Sequence, residues 1–170
     1  MKTKRTFIMA LVAVCLIGGV AVGHDQRKDD PNDSPDRLDL KSVKVSHTAR
    51  RMILDIKTWE SWPTAELQSG KRTLYFTFDT KGGKAADYNI NILRSDTDGL
   101  VCLVGTEPDG ASAGEGRASR NGDQHVRCNF SRRDIEAGGS KTIRWKGSMF
   151  NLETFERDYV PNSGMVRHQL

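Results

Sequence analysis

The chain has 170 residues, with 26 Lys and Arg against 22 Asp and Glu and a formal charge of +4. Three of those basic residues, Lys2, Lys4 and Arg5, and none of the acidic ones precede His24, so the following 147 residues are nearly balanced at 23 basic and 22 acidic. That balance takes away the main support for a basic-surface nucleic-acid role, and the length is that of one domain with its own core rather than two.

Behind the basic head an uncharged apolar run extends from Phe7 to Ile17, continues at Val20 to Val22, and ends in the small residues Ala21 and Gly23. This is the layout of a secretory signal peptide, expected to occupy residues 1–23 and to be cut before His24. A membrane span needs roughly 20 apolar residues. Gly18 and Gly19 interrupt this shorter run, so no span is expected after cleavage. Cys15 follows Val14, not the small residue that lipoprotein processing requires, and belongs to the apolar run. Export places the two remaining cysteines, Cys102 and Cys128, in an oxidising compartment, where one disulfide between them is expected. No Cys-x-x-Cys spacing points to thiol redox chemistry.

Residues 24–37 are polar and acidic, with Asp25, Asp29, Asp30, Asp33 and Asp36, while Pro31 and Pro35 oppose regular structure. They read as an extended lead-in. Beyond it apolar residues recur with period two, the mark of half-buried strands. Leu38 to Val45 is a first strand with a phase slip between Leu40 and Val43 that a bulge accommodates. Met52, Leu54 and Ile56 share a face, as do Leu74, Phe76 and Phe78, and then Tyr88, Ile90 and Ile92 with Asn89 and Asn91 outward. Leu100 to Val104 is apolar on both sides, as in a central strand. Val126, Cys128 and Phe130, then Ile143 and Trp145, continue the pattern. Asp98-Gly99, Asp109-Gly110 and Asn121-Gly122 supply turns that need positive φ, and Gly82-Gly83 and Gly138-Gly139 mark further breaks. The Gly, Ala and Ser-rich stretch from Glu107 to Asn121 reads as a mobile hairpin loop, and short helical turns are expected at Pro63–Gln68 and Arg133–Ala137. The sum is an all-β chain: one antiparallel β-sandwich of about seven to nine strands over residues 38–160, jelly-roll or immunoglobulin-like. Residues 161–170 form a tail.

Several residue groups can carry function. Hard cations such as Ca²⁺ take oxygen ligands, and Asp30, Asp33 and Asp36 in the lead-in, with Asp79 and Asp87 flanking the Gly82-Gly83 turn, offer a set; a solvated acidic linker explains the same residues. The glycine and glutamate of an EF-hand loop are missing. Trp59 and Trp62 lie in a turn-like stretch where exposed rings can stack on sugars, or where an indole can fold back over the core. Among His24, His47, His125 and His168, none adjoins a nucleophile elbow or a zinc-ligand partner, so no enzyme is expected, and a hydrolase would need a site assembled only in space. Arg132, Arg133, Lys141, Arg144 and Lys146 are explained by alternation on outward strand faces. Asn32 and Asn129 open N-glycosylation sequons.

The order of pieces resembles a known kind of domain. An acidic, Pro-containing opening, Asp39-Leu40 leading a strand, Leu74 to Asp79 followed by Thr80 and glycines, Ala86-Asp87-Tyr88 opening the next strand, and Pro161-Asn162 within Asp158–Gly164 are together similar to DOMON-like and family-9 carbohydrate-binding-module-like β-sandwiches of secreted proteins. The resemblance spans Pro31 to Gly164 and implies a ligand-binding sandwich, with sugar or haem as ligand and Ca²⁺ as a structural ion in some relatives. For haem, only Met52 and His125 present themselves as axial ligands. The expected function is a secreted, non-catalytic module that binds carbohydrate or cell-wall glycan. The alternative is an extracellular structural or protein-interaction domain, an inhibitor or envelope component, with no small-molecule site.

Overall fold

The computed structural model describes residues 25–67, 71–83, 85–95 and 99–170. The expected signal peptide, with Cys15, and Asp98 of the Asp98-Gly99 turn lie outside them. Among the described residues there are eleven strands, more than the seven to nine expected: β1 (Gln26–Asp29), β2 (Leu40–His47), β3 (Arg51–Thr58), β4 (Arg72–Asp79), β5 (Tyr88–Arg94), β6 (Leu100–Thr106), β7 (Ser112–Arg120), β8 (His125–Ser131), β9 (Thr142–Asn151), β10 (Arg157–Val160) and β11 (Val166–Gln169). Among them no helix is long and apolar enough to cross a membrane.

Every pairing is antiparallel, in the order β1-β2-β3-β8-β7-β6-β5-β4-β9-β10, and β11 shares one edge of the long strand β9 with β10. The sheet is nearly closed, because its two ends meet: the Leu40 N–H of β2 donates to the Asp158 carboxylate of β10 at 2.7 Å. Period-two alternation places one face of each strand inside. Met52, Leu54 and Ile56 of β3 lie opposite Phe130, Cys128 and Val126 of β8, and all six are buried. Leu74, Phe76 and Phe78 of β4 bury the same way, and Phe78 meets Phe130 edge-on with ring centroids 6.0 Å apart. The slip expected in the first strand is present as a register shift between Leu40 and Ser42. Cys102 and Cys128 are disulfide-bonded, joining the strands on either side of β7. Gly116 of β7 lets this region close up, since a Cβ there would stand 2.8 Å from the Cβ of Phe130.

Four expectations are corrected. The lead-in is not merely extended: its Gln26–Asp29 pairs with β2 as β1, a ladder that uses backbone groups and needs no apolar periodicity. The supposed loop Glu107–Asn121 contains the nine-residue strand β7, whose small residues are held extended by β6 and β8 on either side. The tail contains β11, with Val166 and His168 buried against β9. In β6, apolar on both sides in sequence, Leu103 is 40 % exposed while Cys102 and Val104 are buried, so the strand is covered on one face and not on both. The short helical turns are where they were expected, at Thr64–Leu67 and Arg132–Ile135, the second capped by Ser131 and Asp134.

Candidate functional site

The loop after β3 and the turn between β7 and β8 lie side by side at one rim. Asn121-Gly122 makes the turn with Gly122 at φ +85°, a conformation that favours glycine. Backbone hydrogen bonds then lock turn to loop, from Thr58 N–H to the Gln124 carbonyl at 3.0 Å and from Trp62 N–H to the Asp123 carbonyl at 3.2 Å. The Gln124 side-chain amide donates to the Trp59 carbonyl at 2.8 Å. Between the two segments opens a cleft of about 540 Å³, lined by Lys57, Ser61, Asn121, Asp123, Gln124 and His125. It adjoins a hollow at Trp62 and Pro63 on one side and one at Asp55, His125 and Arg127 on the other.

The floor of that second hollow is an ion-pair triad on the outward faces of β3 and β8. Asp55 accepts from Arg127 Nε at 2.7 Å and Nη2 at 3.1 Å, and its Oδ1 lies 3.1 Å from His125 Nε2. Partial burial works against the charge on Asp55, but hydrogen bonds and charge from Arg127 and His125 outweigh it and hold the carboxyl below its ordinary range. Met52, by contrast, points into the core beneath the same pair of strands. His125 and Met52 therefore occupy opposite faces and do not form an axial pair for haem.

The two tryptophans divide as the alternatives allowed. Trp62 folds back over the core, 3 % exposed, with its Nε1–H donated to Thr58 Oγ1 at 3.1 Å and the Arg120 guanidinium 4.1 Å from the ring centroid. Trp59 is half-buried, with Lys41 Nζ 4.6 Å over its ring. Each indole thus has a cation over one face, a contact favoured by the ring's quadrupole.

The five aspartates proposed as Ca²⁺ ligands do not come together. Asp36 accepts from Leu38 N–H at 2.9 Å, Arg72 Nε at 3.0 Å and the Asn151 amide at 2.7 Å. Asp79 accepts from Gly82 N–H at 2.7 Å, Gly83 N–H at 3.2 Å and Arg144 Nε at 2.7 Å. Burial opposes its ionisation, yet Arg144 and the two amides keep its pKa below the usual value. Asp87 accepts from Thr80 and Lys81 N–H at 2.8 and 3.0 Å. These three build turns and ion pairs. Asp30 and Asp33 instead meet Asp39 and Asp158, one oxygen of each lying within 4.8 Å of the other three. Asp158 was missed because it stands far along the chain, on β10, and no local pattern ties it to the lead-in. Of the two sequons, Asn32 is exposed, whereas Asn129 sits within β8 with its Oδ1 buried. Compared with protein-family models and with curated proteins, the chain matches none.

Proposed function

We propose that this protein is an exported, non-catalytic β-sandwich of the DOMON-like kind, and that it binds an extracellular carbohydrate in the rim cleft beside Trp62. The observation that carries the proposal is the lining of that cleft: amide, carboxylate, imidazole and ammonium side chains from Asn121, Gln124, Asp123, His125 and Lys57 converge on one space. Sugar hydroxyls both donate and accept, and such side chains answer both needs. Hydrogen bonding, not ring stacking, does the recognition, since both indoles are folded inward or capped by cations. Export is supported by the signal-peptide layout and the Cys102–Cys128 bond. The sandwich is supported by Phe78 of β4 touching Phe130 of β8, strands four steps apart along the sheet path, as expected where two layers face each other.

The test is binding of the purified protein to a glycan array, repeated with an Asp123→Ala, Gln124→Ala double variant. Glycan binding that weakens at least tenfold in the variant, with the melting temperature held, supports the cleft. Retention of a protein partner with no glycan signal overturns the carbohydrate assignment in favour of an interaction domain.

A further inference from the structure

Four carboxylates stand at the seam where the sheet's two ends meet. Asp30 directly follows β1, Asp33 lies in the connection to β2, Asp39 directly precedes β2, and Asp158 lies on β10. Asp30, Asp39 and Asp158 are buried and Asp33 is exposed. The neighbours that satisfy a buried carboxylate are largely missing. Asp39 is 1 % exposed, yet neither of its side-chain oxygens has a hydrogen-bond partner, and Asp30 Oδ2 has none either. Asp158 receives the Leu40 N–H, and Asp33 the Asn162 amide at 3.2 Å. Among the described residues, no Lys, Arg or His forms an ion pair with any of the four.

A buried charge without a partner is strongly unfavourable, and four carboxylates gathered this closely repel one another as well. The spacing identifies what resolves this. Oxygens bound to one Ca²⁺ lie about 2.4 Å from it and so at most about 4.8 Å from each other, and one oxygen of each of the four aspartates lies within that limit of the others. All four ligands are hard oxygens, without the imidazole or thiolate that zinc or copper favour.

We propose that Asp30, Asp33, Asp39 and Asp158 bind one Ca²⁺ ion, which clasps the β1–β2 connection to β10 and so holds the two ends of the sheet together. The clasp is independent of what the rim cleft binds. Calcium chloride and magnesium chloride, titrated separately by calorimetry into chelator-treated protein, test it together with melting curves in EDTA and in millimolar Ca²⁺. One Ca²⁺ per chain, a melting temperature several degrees higher with Ca²⁺, and binding of Mg²⁺ at least tenfold weaker are expected. Asp39→Asn should abolish the Ca²⁺ response while melting in EDTA no lower than the wild type, which separates a lost ligand from a failed fold. Asp29→Asn, next to the cluster but paired with Arg27 on β1, should keep the response. No Ca²⁺ heat and identical melting in EDTA and Ca²⁺ would overturn the proposal, as would an Asp39→Asn variant that still responds.

Discussion

Asp79 and the Asp30–Asp39–Asp158 group are buried carboxylates of one small domain under opposite conditions. Asp79 sits at the end of β4 with two backbone amides and the Arg144 guanidinium on it, and it stays ionised despite burial. At the sheet seam Asp158 receives the Leu40 amide, both side-chain oxygens of Asp39 and one of Asp30 lack a hydrogen-bond partner, and no cation pairs with the group among the described residues. A buried carboxylate must be given compensation from somewhere. At Asp79 the chain supplies it; at the seam the neighbours are mostly further carboxylates, and the Ca²⁺ proposed above is what would compensate them.

The contrast predicts opposite signs for similar substitutions. The largest effect is expected from Arg144→Met, which leaves Asp79 buried with only its amides. Losing one partner of a buried pair costs about 3 kcal/mol or more when both are enclosed, and because Arg144 is partly exposed the expected loss is about 2 kcal/mol, read from urea denaturation. Asp39→Asn should instead raise stability in EDTA by at least about 1 kcal/mol, the scale of one like-charge contact at about 4 Å even when fully screened by water. A loss there would break the comparison. Asp55→Asn removes the pair with Arg127, whose side chain is exposed, and should cost under about 1 kcal/mol in the same assay.

A pH series sharpens the paired side of the contrast. Asp79 and Asp55 both have folded pKa values below their unfolded ones, so the stability they contribute is fully present above the unfolded value and is lost as pH falls through the folded one. Denaturation midpoints should therefore drop below about pH 4, and Arg144→Met should flatten that acid limb. An unchanged limb in the variant would remove Asp79 from the account.

The core was legible in the residues to a considerable extent. Met52, Leu54 and Ile56, or Leu74, Phe76 and Phe78, announce buried faces because side-chain direction alternates along any strand, and even the bulge near Leu40 shows as a broken alternation. The strand β7 was not legible, since Gly114, Gly116 and Ala118 carry no apolar pattern and are held extended by their neighbours. Nor was the aspartate set. Asp30 and Asp33 were two of five candidate ligands named from the sequence, but Asp36, Asp79 and Asp87 proved to be bonded to nearby amides and arginines, while Asp39 looked like one more residue of an acidic stretch.

The sequence by itself determined which side of each strand faces inward, where most turns fall, and that two cysteines were available to pair, because these depend on residues a few positions apart. Only the tertiary structure decided which carboxylates find a counter-charge. Arg144 reaches Asp79 across 65 residues, and the Asp158 carboxylate reaches the Leu40 amide across 118. Such meetings depend on strand order and register, which bring the ends of a nearly closed sheet together and leave their four aspartates facing one another.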